Sequence, residues 1–224
     1  MSGAALDPGE VAAYLAAADW AAAVLASAPV VRRWGDPSVL AGYSVGGLGA
    51  HLLQGVERLA QVLDAPAPTG LAPVGLVGFF GGQRIDDPAA PPGGLAGVLV
   101  AAAEARAQEG PTAIGRAFTD GVGHLAPGLA AQAAARPVPV LSVPGGAAPL
   151  DVYLRTRVVE LLVHGDDLVA SAGPAAAPGP PPGAAADVAL GVVVALARAR
   201  VGDAAVLAAF TRRERAEPGA LVVF

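Results

Sequence analysis

A carboxylate and an imidazole stand four residues apart in the sequence, at Glu160 and His164. They belong to residues 150–171, a stretch without proline that we predict to be helical. In a helix, residues four apart lie one above the other on the same face. Apolar neighbours predict that this face points into the core, where both polar groups need a partner. We predict that the partner is a metal ion.

A second histidine, His51, lies in a helix that we predict from residue 45 to about residue 63, capped by Ser44. Leu48 and Leu52 place His51 on an apolar face. Alone, such a histidine is more often a core residue than a metal ligand. Together with Glu160 and His164 it makes two imidazoles and one carboxylate, a set typical of catalytic metal sites. Zn²⁺ suits these donors, and Fe²⁺, Ni²⁺ and Mn²⁺ stay open.

The composition excludes several classes of function. The 224 residues suit one domain, or one domain with a small appendage. The net charge is −5 and no arginine cluster exceeds residues 212–215, so a nucleic-acid partner is not expected. The chain has no cysteine, which excludes disulfides, thiolate metal sites and a cysteine nucleophile. Any thiol chemistry therefore needs a thiol from outside the chain.

The sequence also indicates where the protein acts. Fourteen arginines without lysine, and abundant Ala, Gly and Pro, are typical of a genome rich in G and C, such as an actinobacterium's. We see no signal peptide at the N-terminus. Asp19 and Pro29 interrupt the apolar residues 11–31, and residues 188–197 are too few to span a bilayer. We expect a cytoplasmic protein without a membrane partner.

Start and stop signals predict the helices that carry these residues. Asp7 and Pro8 start a first helix that should run to about Ala28, where Pro29 stops it. Residues 74–80 are an apolar patch that we interpret as a strand or a buried loop. Further helices are expected at residues 45–63, 95–108, 111–135 and 149–171, with extended chain at 136–141. Four long helices predict an all-α bundle.

The C-terminal part is predicted to form an appendage that docks on this bundle. Residues 173–186 are almost wholly Pro, Gly and Ala, which predicts a linker that cannot form a core. The bundle would then comprise residues 1–172 and the appendage residues 187–224. Within the appendage we expect helices that start at Asp187 and Asp203, followed by a short strand at residues 221–224.

Two motifs carry a resemblance to a known family. Residues 42–52, G-Y-S-V-G-G-L-G-A-H-L, resemble the G-W-[ST]-V-x-x-L-x-x-H-L signature of the mycothiol-dependent maleylpyruvate isomerase family. Residues 155–168 are similar to its R-x-x-E-x-x-V-H-x-x-D-L motif, and residues 205–224 resemble its closing segments. The family belongs to the DinB/YfiT-like superfamily of metal-binding four-helix bundles. The resemblance implies a mainly α, DinB-like four-helix bundle with a short C-terminal helix-helix-strand appendage.

The resemblance also implies a chemistry. In that family the residues that match His51, Glu160 and His164 hold a divalent metal, usually zinc, which activates a low-molecular-weight thiol. A thiol on such a cation loses its proton near neutral pH. With mycothiol or another low-molecular-weight thiol, the expected reaction is isomerisation or S-transfer on a small electrophile, for which a carboxylated compound is one candidate. An external thiol agrees with the absence of cysteine.

Four further residues are candidates for catalytic or binding roles because of their positions in the sequence. Arg157 and Asp167 are the candidate catalytic residues. Asp167 can accept a hydrogen bond from the second nitrogen of a ligand histidine, or cap the last helical turn. Arg157 can orient Glu160, bind an acidic substrate or make a surface salt bridge. Arg213 and Arg215 can bind the thiol cofactor or a carboxylated substrate if the appendage covers the pocket.

Two departures from the family pattern bear on the second helix. Tyr43 replaces the tryptophan of the signature, and Gly46 and Gly47 replace better helix formers, so we expect this helix to start late or to bend.

His124, beside Gly123, is expected to be an ordinary surface or interface histidine.

Two rival functions stay open at this point. Water in place of the thiol would make the protein a metal-dependent hydrolase. A metal site closed by a fourth protein ligand would instead make it a non-catalytic, metal-stabilised binding module, and a homodimer is compatible with that role. An open metal position in a pocket lined by arginine would favour an enzyme.

Overall fold

A computed structural model describes residues 4–81, 94–212 and Glu214 of the chain. These residues form mainly α-helix, with a small sheet of three short strands. The helices are α1 (Pro8–Leu25), α2 (Ala28–Arg32), α3 (Val45–Asp64), α4 (Leu76–Gly81), α5 (Leu95–Ala107), α6 (Pro111–Leu129), α7 (Leu150–Ala172), α8 (Gly183–Val201) and α9 (Asp203–Thr211). The strands are β1 (Ala72–Pro73), β2 (Pro137–Pro139) and β3 (Gly146–Pro149). None of these helices combines the length and the apolarity needed to cross a bilayer.

Four long helices, α1, α3, α6 and α7, pack around the main core and confirm the predicted bundle. Helix α3 contacts both α6 and α7, and α1 contacts both of the same helices. Because the chain has few aromatic residues, the core is built mostly from Ala, Val and Leu, with Tyr14 and Phe118 as its largest fully buried side chains. The packing of α3 against α7 brings the two candidate metal-binding segments together.

The small sheet lies next to the start of α7. Its order is β1-β3-β2, with β3 parallel to β1 and antiparallel to β2. Strand β2 lies inside the predicted extended segment, and β3 leads directly into α7. Backbone pairing of β3 with two neighbours therefore holds the entry point of the helix that carries Glu160 and His164.

The prediction of a strand or buried loop at residues 74–80 is wrong for most of that segment, because Leu76–Gly81 form α4. Phe79 is buried, and its ring packs edge-on against Tyr153 of α7, with the centroids 6.0 Å apart. A short apolar run does not distinguish a strand from one turn of buried helix. Here the run is helical and places Phe79 against α7.

The first helix begins as predicted but ends earlier. Asp7 accepts hydrogen bonds from the backbone N–H groups of Gly9 and Glu10, at 2.8 and 3.1 Å. Helix α1 then ends at Leu25, and Pro29 lies in the first turn of α2 instead of stopping a helix. The first turn of a helix leaves its N–H groups without intrahelical partners, so proline loses no hydrogen bond there.

Helix α3 does not start late, although two glycines occupy its first turn. It begins directly after Ser44, whose hydroxyl accepts a hydrogen bond of 2.9 Å from the Gly47 N–H. A Cβ on Gly46 would lie 2.6 Å from the indole nitrogen of Trp34, and one on Gly47 would overlap the Glu104 carboxylate. The glycines therefore allow Trp34 and Glu104 to pack directly against the first turn.

The predicted linker contributes to the core, contrary to expectation. Helix α8 begins at Gly183, four residues before Asp187, and packs on α7 and α1. Ala176 and Ala185 are fully buried in the main core, because a methyl side chain fits between closely packed backbones. The division between bundle and appendage stays a prediction. The predicted strand at residues 221–224 lies outside the described residues.

One close contact joins α1, α7 and the segment before α8. A Cβ on Gly165 of α7 would overlap the ring of Trp20 on α1. The same indole donates a hydrogen bond of 3.0 Å to the Gly179 carbonyl. Gly165 thus lets the Trp20 ring pack closely against α7 while the Trp20 indole nitrogen binds the segment before α8.

We predict that Gly165→Ala lowers the free energy of unfolding by about 1–3 kcal/mol, because the new methyl group must displace a buried ring. Gly191 is the matched control, since it is an exposed helical glycine of α8 and an added methyl group there would meet no atom within 4 Å. Gly191→Ala should raise the free energy of unfolding by about 0.5–1 kcal/mol. Urea denaturation followed by circular dichroism measures both, and equal effects of the two substitutions would contradict the packing argument.

Candidate metal centre

The structure brings the three predicted metal ligands together across the contact between α3 and α7. His51 projects from α3, and Glu160 and His164 project from successive turns of α7. Their ligand atoms all lie within 4.8 Å of one another. The Nε2 atom of His164 is 3.1 Å from Glu160 Oε2, and the Nε2 atom of His51 is 3.9 Å from the same oxygen. Both imidazoles thus direct Nε2 towards one carboxylate.

The opposite nitrogen of each ring contacts a residue of its own helix. His164 Nδ1 lies 3.0 Å from Asp167 Oδ2, which is the contact expected for Asp167. His51 Nδ1 lies 3.4 Å from the amide oxygen of Gln54. Both partner atoms are oxygens that accept hydrogen bonds, so the tautomer with the proton on Nδ1 satisfies both contacts. Nε2 is then the nitrogen of each ring that can give a lone pair to a metal.

The charges of the site are strongly coupled. Burial opposes ionisation of Glu160, but the Arg157 charge and then the contact with His164 outweigh it and lower the pKa of Glu160 to about 2. Burial likewise opposes the imidazolium of His164, but hydrogen bonds to Asp167 and Glu160 raise its pKa to about 9. Burial and the neighbouring His164 lower the pKa of His51. Without metal, His51 is therefore neutral at pH 7 beside an ionised Glu160 and a protonated His164.

Arg157 lies against this site and not on the surface. Its side chain is 14% exposed, which excludes the surface salt bridge among the roles considered for it. Its Nη2 atom is 3.8 Å from Glu160 Oε1, and its Nε–H donates to the Thr156 hydroxyl at 3.3 Å. The guanidinium stacks over the Tyr153 ring, 4.8 Å from the centroid. Such stacking stabilises a buried cation.

Tyr43 packs against the ring of His51. The two ring centroids are 5.4 Å apart, with the planes tilted by 45°. Burial, and then the charges of Glu160 and Glu104, raise the pKa of Tyr43 to about 12. The phenol is therefore protonated at neutral pH and can donate a hydrogen bond. Tyr43 stands where the family signature has tryptophan.

The remaining candidates lie elsewhere. His124 of α6 is 60% exposed and lies 3.3 Å from Asp64, as expected of a surface histidine. Arg213 and Arg215 lie outside the described residues, so their roles stay predictions.

Sequence reasoning missed two residues that shape the site. Gln54 follows His51 by three positions, the same spacing that separates Asp167 from His164, and this repeated spacing could have revealed it. Glu104 of α5 accepts hydrogen bonds from the backbone N–H of Ser44, at 2.7 Å, and from its hydroxyl. No local pattern links residues 44 and 104, so this contact was not predictable.

The residues present fit a divalent metal. Two imidazole nitrogens and one carboxylate oxygen converge, and within the described part of the chain no further His, Asp or Glu joins this group. Three protein ligands with positions left for water or substrate are typical of catalytic zinc sites. The ligand side chains are 16–22% exposed, so small molecules can approach them.

The comparison with known families agrees with the two sequence motifs. Residues 9–169, more than half of the chain, match the family described as "Mycothiol maleylpyruvate isomerase N-terminal domain". No curated protein and no solved structure matches the chain. The matched residues contain both motifs and all three candidate metal ligands, which confirms the resemblance seen in the sequence. The chain therefore belongs to the family of the mycothiol maleylpyruvate isomerase N-terminal domain.

Proposed function

We propose that this protein is an enzyme that holds a divalent metal on His51, Glu160 and His164 and uses an external thiol, mycothiol, to act on a small electrophile. The observation that carries the proposal is the convergence of three ligand atoms within 4.8 Å, with both Nδ1 atoms engaged elsewhere. The family match supports mycothiol as the thiol. Zinc is the metal that best suits these donors, with iron, nickel and manganese as alternatives.

The absence of cysteine determines which groups the protein supplies in this proposal and which the cofactor supplies. A divalent cation favours the deprotonated form of a thiol near neutral pH. Because the chain has no cysteine, that sulfur must belong to a cofactor. In the proposed reaction the thiolate adds to one carbon of an electrophilic double bond. Rotation about the resulting single bond followed by loss of the same thiolate gives the isomer, whereas protonation of the neighbouring carbon gives a stable S-conjugate.

Asp167 and Arg157 have supporting roles in this proposal. Asp167 accepts a hydrogen bond from Nδ1 of His164 and so keeps the ring oriented with Nε2 towards Glu160. Arg157 lies 3.8 Å from the Glu160 carboxylate, which is too far for a hydrogen bond. Among the described residues neither of its Nη atoms has a hydrogen-bond acceptor. These N–H groups are therefore available for a substrate carboxylate. Arg213 and Arg215 stay our candidates for binding the thiol or the substrate.

We predict that the purified protein contains about one divalent metal ion per chain, as expected for a site with three protein ligands. His164→Ala and His51→Ala should lose most of this metal, because each removes one of the three donors. His124→Ala is the matched control and should retain it, since His124 lies on the surface beside Asp64. Elemental analysis measures the metal content. Equal, stoichiometric metal in the wild type and in His164→Ala would contradict the site.

We predict that turnover of a carboxylated, unsaturated electrophile requires mycothiol. Spectrophotometric assays with and without mycothiol, on metal-loaded protein, measure this dependence. Turnover without any thiol would favour the hydrolase instead. Stoichiometric metal without turnover of any electrophile in the presence of mycothiol would favour the non-catalytic module.

Arg157→Lys should raise KM for a carboxylated electrophile by about tenfold or more, because lysine cannot offer two parallel N–H donors. The corresponding amide of the same electrophile is the control, and its KM should change little. Steady-state kinetics with both compounds test the role. An equal rise in KM for the carboxylated electrophile and for its amide would show that Arg157 supports the metal site and does not bind the substrate carboxylate.

A further inference from the structure

The two histidines of the metal centre are held by their own helices in the same way. In α7, His164 Nδ1 contacts Asp167 Oδ2 at 3.0 Å, and in α3, His51 Nδ1 contacts Gln54 Oε1 at 3.4 Å. In both helices the partner stands three residues after the histidine, one turn further on the same face. Each ring is therefore anchored through Nδ1 to the next turn of its helix, and its Nε2 projects towards the facing helix.

The orientation of the Gln54 amide decides which nitrogen of His51 is free. The oxygen Oε1 only accepts hydrogen bonds, so with Oε1 facing the ring the proton of neutral His51 is on Nδ1. Nε2 then presents its lone pair towards Glu160, 3.9 Å away. If the NH₂ group faced the ring instead, the proton would move to Nε2 and the lone pair would point away from Glu160 and His164.

We propose that Gln54 is a positioning residue of the metal centre, which holds His51 in the tautomer and orientation that leave Nε2 free for the metal. The inference rests on the proposed metal site. It extends that site to α3, where neither the sequence motif nor the family description assigns a role to residue 54.

The two anchors are unequal, and so are the two metal donors. The Asp167 contact joins a carboxylate to its histidine, whereas Gln54 offers a neutral amide at a longer distance. Bonds to an ionised acceptor are shorter and stronger, and a carboxylate partner raises the basicity of the ligand ring. His164 is thus the stronger donor, and His51 is a weaker donor whose direction depends on Gln54 and on the Tyr43 ring packed beside it.

Three variants test this role. Gln54→Met keeps the length of the side chain and removes the acceptor, and Gln54→Glu keeps an acceptor oxygen. Gln61→Met is the matched control, because Gln61 lies exposed on the same helix. Zn²⁺ affinity is measured by competition with a chromophoric chelator, and NMR of the metal-free protein reports which ring nitrogen of His51 carries the proton.

We expect Gln54→Met to weaken Zn²⁺ binding by about 10–100-fold, in the range seen for partners of metal-bound histidines. Gln54→Glu should bind Zn²⁺ at least as tightly as the wild type, and Gln61→Met should bind it equally. The His51 proton should be on Nδ1 in the wild type and should shift towards Nε2 in Gln54→Met. Circular dichroism of each variant confirms that it is folded.

Unchanged Zn²⁺ affinity and an unchanged His51 tautomer in Gln54→Met would overturn the role of Gln54 and leave the proposed metal site intact. Zn²⁺ binding by Gln54→Glu that is as weak as that of Gln54→Met would also overturn the role of Gln54. A wild-type protein that does not bind Zn²⁺ would overturn the proposed metal site itself, so the two failures are distinguishable.

Discussion

The ionised carboxylate of Glu160, enclosed between α3 and α7, is the group on which the organisation of the site depends. Burying a carboxylate costs several kcal/mol unless nearby groups compensate for the lost water. Here the compensation comes from Arg157, which faces Oε1, and from His164, which contacts Oε2, both on the same helix. The polar edge of His51 faces Oε2 from α3. The two imidazoles and the guanidinium that meet here thus stabilise one half-buried negative charge.

The bundle positions these groups through close contacts at the ends of the helices. Ser44 caps α3 and is itself bound by Glu104, so the first turn of that helix is held against α5. His51 stands seven residues later, about two helical turns away, and its position follows from that anchor. Backbone pairing of β3 with β1 and β2 fixes the start of α7. Glycines where a Cβ would collide with Trp34, Glu104 or Trp20 allow these helices to approach closely.

The chemistry of the centre follows from what the chain contains and what it lacks. Nitrogen and oxygen donors converge, no cysteine is present, and the buried arginine keeps N–H groups without an acceptor among the described residues. We propose that such a site binds a divalent cation, and that both the nucleophilic sulfur and the anionic substrate come from solution. The carboxylate partner of His164 and the amide partner of His51 are the basis of the unequal donor strengths that we propose for the two rings.

The sequence by itself determined the features that depend on helical periodicity. A spacing of four placed Glu160 above His164, a spacing of three placed Asp167 beside the same ring, and apolar periodicity predicted the bundle. These relations hold inside one helix, so they do not depend on how the helices pack. The tertiary structure decided the rest, because those features depend on contacts between distant segments. It placed His51 opposite Glu160, buried Arg157 against Tyr153, turned residues 76–81 into a helix and drew part of the predicted linker into the core.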